Sequence, residues 1–284
     1  MEPLVSVVMP AFNAEKYIAE AIRSVIAQTH TNWELLVVDD GSTDGTSAIM
    51  ESFHDPRIRI FHKKNGGIGS ARNLALEHAR GGFMCGLDAD DVFPPESLAA
   101  RLAVFGSDPD TDMVDGTVLF MDATLTKTQR VFSPSFEGEP FHELVALSAS
   151  CFMGFSWMVR WHEHMTLRFA EHLSHGEDLC FYLAYCPGRR YRYTKAVVLN
   201  YRRTGTTTMA NLEGLARSYA RIYLWLCENG KASKGELVTF RKRTRSIMVK
   251  SFLRAGEPLN ALHTLMDRGP FSVASHLEHS VRVD

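Results

Sequence analysis

Phe83-Met84-Cys85-Gly86-Leu87-Asp88-Ala89-Asp90-Asp91 is an apolar run that ends abruptly in acid. Strand propensity runs from Phe83 to Leu87. Asp88 and Asp90 then leave the strand one residue apart, where i and i+2 side chains share a face. Two carboxylates held that way repel one another unless a cation lies between them. A divalent ion with oxygen ligands is the natural partner, and a phosphate is the natural co-ligand of that ion. Taken alone, the cluster is more simply a solvated acidic turn; the sequence around it argues otherwise.

Upstream, strand and helix signals alternate. Residues 5–9 are a β-branched run stopped by Pro10, and Ala14, Tyr17, Ile18, Ala21, Ile22, Val25 and Ile26 recur at helical spacing. Asn13 stands where an N-cap would. A second strand over 34–38 stops at Asp39-Asp40-Gly41-Ser42, followed by a helix over 46–53 and a strand over 58–61. The turn Asn65-Gly66-Gly67-Ile68-Gly69 and a helix over 71–79 lead into the opening strand. This alternation predicts an α/β fold with a mostly parallel central sheet flanked by helices. Past Pro94-Pro95 the pattern loosens: helices over 96–105 and 177–185, and strands over 113–121, 152–159 and 196–201. From Leu212 onward the signal is all helical.

Composition narrows the class. A chain of 284 residues with 45% hydrophobic and 23% charged residues suits one large soluble domain with an appendage. A net charge of −2 argues against nucleic acid as a partner. Five cysteines without a Cys-x-x-Cys spacing fit reduced, mostly buried thiols of a cytosolic protein. Met1-Glu2-Pro3 opens no leader pattern. No run approaches the roughly 18–20 apolar residues of a membrane span, so the expectation is a cytoplasmic protein unless something carries it to a membrane.

Ligands of open parallel sheets bind beyond the carboxyl ends of the strands. Three polar clusters fall there: residues 10–13, 39–44 and 88–91. The first two would line a nucleotide pocket, where Asp39 or Asp40 can accept a hydrogen bond from a base N–H or a ribose hydroxyl, or simply cap a turn. The third would hold a metal on the phosphates.

The segments carrying these clusters resemble the family 2 glycosyltransferases. They are Val7-Val8-Met9-Pro10-Ala11-Phe12-Asn13 with Tyr17-Ile18, the run from Val37 to Thr46, Asn65-Gly66-Gly67-Ile68-Gly69-Ser70-Ala71-Arg72-Asn73, and Leu87-Asp88-Ala89-Asp90-Asp91. Gly176-Glu177-Asp178-Leu179-Cys180-Phe181 resembles the family's acidic acceptor-site motif. Each motif alone is weak, but five in the family's order are specific. The resemblance implies a GT-A fold, taken to span residues 1–209 with the helical signal marking a separate region over 210–284, and sugar transfer with inversion from a nucleotide sugar, here UDP-linked. It gathers Pro10, Ala11, Asn13, Tyr17, Asp39, Asp40, Asn65, Gly67, Arg72, Asp88, Ala89, Asp90 and Arg202 around the donor. It makes Asp90 the ligand of a divalent ion, Mn²⁺ or Mg²⁺, with Asp88 binding that ion through water or lying nearer the ribose, and Asp178 the base. Glu177 either positions the acceptor or caps the helix. The acceptor is then a saccharide or lipid-linked saccharide of a bacterial surface polymer or glycolipid.

Several residues stay open. Arg72 could reach a phosphate or tie down Asp88 or Asp90. The stretch from Asn200 to Thr208 resembles the loop that closes over the diphosphate, yet Arg203 and Thr204 stand where the family often has a metal-binding His. The third ligand is therefore unassigned, and Arg202 or Arg203 can neutralise phosphate instead. Trp157 and Trp161 could stack on a sugar or pack in the core. His162, Glu163, His164, His172 and His175 match no zinc spacing. Residues 240–254 read as a basic helix able to lie on an anionic membrane, or as a solvated face. Two other classes compete. A nicotinamide oxidoreductase is disfavoured because no glycine lies in residues 9–13. A non-catalytic sugar-nucleotide-binding protein is disfavoured because Asp88, Asp90 and Asp178 occur together.

Overall fold

The computed structural model describes residues 2–162, 164–204 and 211–272. Strands β1 (Val5–Ala11) and β2 (Trp33–Asp39) are buried along their whole length, as expected of strands covered on both faces. β1 pairs in parallel with β2 and β4 (Phe83–Gly86), and β2 pairs in parallel with β3 (Ile58–His62). The sheet continues from β4 through β7 (Met158–Arg160), β5 (Thr111–Met121) and β6 (Thr128–Phe132) by antiparallel pairings. β8 (Arg190–Arg202) runs parallel along β5. The described residues thus form a mostly parallel eight-stranded sheet.

Alternation along β1 divides the core. Val5, Val7 and Met9 pack with Ile18, Ile22 and Val25 of helix α1 (Ile18–Ile26). Val8 packs on the opposite face with Ala71, Ala75 and Leu76 of α3 (Ile68–His78). The chain winds outward from β1 to β3, through α2 (Thr46–Glu51), and then returns to β4 on the other side of β1. That reversal opens a crevice at the carboxyl ends of β1 and β4. After α4 (Ser97–Ser107), α5 (Phe141–Val145) and α6 (Glu177–Tyr185) come α7 (Leu212–Glu228), α8 (Lys234–Arg254) and α9 (Pro258–Leu265). α8 opens on a capping box formed by Ser233 and Glu236. Ile222, Trp225, Leu226 and Phe240 of α7 and α8 join the larger core, while Leu215, Met248, Phe252, Ala261 and Phe271 form a small core of their own. The expected division at 209/210 falls among residues 205–210, outside the described residues.

Three expectations are corrected. Asn13 does not cap α1, which starts at Ile18; it adopts a positive φ of 49° and ties two loops together. Asn is favoured both at N-caps and in the left-handed region, so sequence alone could not separate the roles. The strand expected over 152–159 is only Met158–Arg160, and the preceding aromatics form a loop. β8 begins at Arg190, six residues before its apolar centre, because β5 offers a long partner. Residues β6 and α5 were not anticipated.

Candidate active site

At the exit of β2, both acids are buried and occupied. Asp40 accepts hydrogen bonds from Gly66 N (2.9 Å) and Gly67 N (2.8 Å), and pairs with Lys63 Nζ at 2.7 Å. Its carboxylate is the peg on which the glycine turn hangs. Gly41 makes the approach possible: it sits at φ +77°, and a Cβ there would lie 2.8 Å from Asn65 N. Asp39 accepts from Ser42 N (2.9 Å) and faces His62 Nδ1 at 3.3 Å. Asn13 Oδ1 accepts from Thr43 N (2.8 Å), and Asp40 N donates to Ala11 O (2.8 Å), so the exits of β1 and β2 form one rigid rim.

At the exit of β4 the acids are crowded instead. Asp88 accepts from Arg72 Nη2 at 2.9 Å, and Asp91 is buried, accepting from Arg202 N at 2.7 Å. Asp90 lies between them; no hydrogen bond or ion pair from another described residue reaches its carboxylate. Burial, and then the charge of Asp88, push Asp90 up to about 6. Burial and the charges of Asp90 and Asp88 also hold Asp91 well above the ordinary range. An orphaned, proton-hungry carboxylate beside a second acid is the environment a divalent cation relieves. Asp88 and Asp90 therefore fit such an ion, although no group of three His, Cys, Asp or Glu residues able to hold one occurs among the described residues.

The acceptor-side acids open α6. Its first turn carries Glu177 and Asp178, where the helix dipole favours negative charge. Asp178 Oδ1 accepts from Leu179 N at 2.7 Å. Burial, reinforced by Glu177, raises Asp178 to about 7 against the opposing pull of Arg72. Oδ2 faces Gly154, where even a Cβ would stand 3.8 Å away. Arg72 joins the two sides: Nη1 donates to Glu177 at 2.7 Å while Nη2 holds Asp88.

These motifs can be set against known proteins. The family model described as glycosyl transferase family 2 matches residues 6–162, more than half of the chain. The chain belongs to this family. A relative, the putative teichuronic acid biosynthesis glycosyltransferase TuaG of Bacillus subtilis, is 42% identical over 104 residues, covering 36% of this chain and 41% of TuaG. The chain spans less than two thirds of the curated relatives' own length. The fold is shared with S. aureus TarS 1-349 in complex with UDP-GlcNAc (TM-score 0.61, 17% identity, 99% of this chain and 97% of that one). It is also shared with the mannosyltransferase PcManGT of Pyrobaculum calidifontis in complex with GDP-Man and Mn²⁺ (TM-score 0.64, 19% identity, 98% and 81%). The GT-A architecture expected from the resemblance is the one observed.

In this family 2 member, the crevice gathers Ala11, Asn13, Asp39, Asp40, Asn65, Gly67, Arg72, Asp88, Ala89 and Asp90 at the carboxyl ends of the strands, with Pro10 buried inside β1. Two expected residues face elsewhere. Trp157 is fully buried, stacks on Tyr182 at 4.2 Å and donates Nε1–H to Cys151 O, so it cannot touch an acceptor. Arg202 spends its guanidinium on Asp90 O, Ala123 O and Glu20 Oε2, and lies over the Tyr17 ring at 4.7 Å. Three of its five N–H donors thus brace the acidic turn and its flank. Arg203 donates to Gln129. Residues 205–208 of the expected closing loop, and Glu163 of the histidine cluster, lie outside the described residues. Sequence reasoning missed Lys63, Gly154, Phe155 and Phe169. Only Lys63, next to the glycine turn, carried a signal, as the nearest cation to a buried acid pair.

Proposed function

We propose that this family 2 enzyme is an inverting, metal-dependent transferase that moves a sugar from a UDP-sugar to a hydroxyl of a saccharide or lipid-linked saccharide. The carrying observation is Asp90: a half-buried acid whose carboxylate no other described residue bonds, beside Asp88, at the switch point of the sheet. Asp39 would orient uracil or ribose, with Asn13 and Ala11 lining the same rim. Asp88 and Asp90 would hold a divalent ion, which supplies Lewis-acid stabilisation of the departing diphosphate. Asp178 takes the acceptor hydroxyl's proton as that oxygen bonds to the anomeric carbon from the face opposite the diphosphate. As that bond forms, the bond between the anomeric carbon and the diphosphate oxygen breaks and UDP leaves with the electron pair. PcManGT with Mn²⁺ and TarS with UDP-GlcNAc support the donor chemistry, and TuaG's assignment supports a surface polymer.

A panel of UDP- and GDP-sugars with Mn²⁺, read by nucleotide release and thermal shift, tests this reading. A shift confined to one UDP-sugar and abolished by EDTA is expected; shifts indifferent to EDTA, or given only by GDP-sugars, overturn it.

We also propose action at the inner face of the plasma membrane, with a revised contact surface. Phe240, Met248 and Phe252 of α8 are buried in the protein, so that helix cannot insert them in lipid. Lys242, Arg243, Lys250 and Arg254 remain outward, near exposed Leu253, Leu259, Leu262 and Leu265. No helix among the described residues is long and apolar enough to cross a membrane. Co-sedimentation with anionic but not zwitterionic vesicles is the expected outcome; equal recovery with both kinds removes the electrostatic contact.

A further inference from the structure

Arg72 is built into the protein more elaborately than a phosphate ligand requires. It is almost fully buried, and Nε has no hydrogen-bond partner among the described residues. Its guanidinium lies 4.3 Å from the Phe155 ring centre and 5.4 Å from that of Phe169. Both rings are fixed. Phe155 occupies the space over Gly86, where a Cβ would come within 1.9 Å of the ring. Its loop is pinned by Arg101 Nη1 donating to Ser156 O at 3.1 Å. Phe169 is locked to α3 by Asn73, which accepts from Phe169 N at 2.7 Å and donates to Phe169 O at 3.0 Å. The cation thus keeps one position while its two amino groups serve acids 89 residues apart in the chain, Asp88 and Glu177.

We infer that Arg72 is a positioning residue that couples the two halves of the site, setting the donor-side Asp88 and the acceptor-side Glu177 on one immobile guanidinium. The inference rests on the donor reading proposed above. One fixed positive charge is shared by two carboxylates. When Glu177 loses its charge, Asp88 takes the whole of the guanidinium and becomes a poorer oxygen ligand; coupling of this kind is reciprocal. A lysine could not replace it, since a compact ammonium lacks the planar fork that reaches two acids at once. Both amino groups of Arg72 are committed to these acids, so its influence on transfer passes through Asp88 and Glu177.

The test is a double-mutant cycle read by Mn²⁺ binding to the full chain, without nucleotide and without turnover. Glu177→Gln is expected to weaken Mn²⁺ binding about fivefold or more when Arg72 is present, within the usual range of coupling between sites. In the Arg72→Lys background the same substitution should change binding by less than about twofold. An equal change in both backgrounds, or none with Arg72 present, overturns the inference. Should Arg72→Lys not fold, Phe155→Leu removes the aromatic platform without altering any charge. It too should shrink the Glu177→Gln effect below about twofold, and an undiminished effect overturns the coupling. If the native chain binds no Mn²⁺, the donor reading fails and carries this inference with it. Binding without coupling sinks the inference alone.

Discussion

Two strands of this sheet end in paired acids, and the two pairs live in opposite worlds. Asp40, after β2, is saturated by Lys63 and two backbone amides. Asp90, after β4, is pushed up to about 6 by burial and by the charge of Asp88, which the charge of Arg202 only partly offsets. The difference is where the surrounding donors point. After β2 the glycine turn folds back and aims its N–H groups at the acid; after β4 the chain turns away, and Arg202 spends its donors on carbonyls and Glu20. A saturated carboxylate holds structure, whereas an unsatisfied one waits for a ligand or a proton. Asp178, raised to about 7, belongs with the second kind.

The largest expected effect follows for Asp178. Asp178→Asn should lower turnover by about 10²- to 10⁴-fold, the usual contribution of a general base. UDP affinity, measured calorimetrically with Mn²⁺, should stay within about threefold because no donor contact is removed. Turnover that survives the change would move Asp178 out of the catalytic class.

Next comes the structural acid. Asp40→Asn should cost about 2–4 kcal/mol in denaturant unfolding, since it leaves Lys63 unpaired and weakens the bonds to the two glycine amides. The mirror experiment has the opposite sign. Asp90 binds its proton more tightly folded than unfolded, so stability is full below the ordinary carboxylate range and is lost as pH rises through about 6. At neutral pH, Asp90→Asn should therefore stabilise the protein by about 1–2 kcal/mol after allowing for the part of the carboxylate that reaches water. The same variant should lose metal-dependent UDP binding. If both substitutions destabilise equally, the contrast between the two strand ends is broken.

The strand ends were legible because apolar runs stop abruptly at acid, which is a local property. Which acid is satisfied was not legible, because the partners of Asp40 lie 23 to 27 residues away and those of Asp88 come from α3. The loop before β7 failed for a different reason. Phe152, Phe155 and Trp157 have the composition of a buried strand, and periodicity cannot separate a strand from an aromatic layer packed beneath a guanidinium. Trp157 shows the limit plainly: an indole beside a sugar and an indole in a core have the same letter. Arg202 likewise read as a phosphate ligand because its three acceptors are distant in sequence. The resemblance to family 2 found the crevice; the physical environment of each residue had to come from the fold.

The smallest effect discriminates most finely between the two kinds of acid. A base must be deprotonated to act, so turnover limited by Asp178 should rise with pH and level off above its titration near 7. Between pH 8 and pH 6 turnover should fall about tenfold with the fold intact, as one titrating group allows. Glu177 raises Asp178 through like charge, so Glu177→Gln should move the inflection toward acid. Asp40→Asn, acting on an acid already satisfied and at the other strand end, should leave the inflection in place. An inflection that shifts equally in both variants would show that the pH dependence belongs to the stability of the crevice rather than to Asp178.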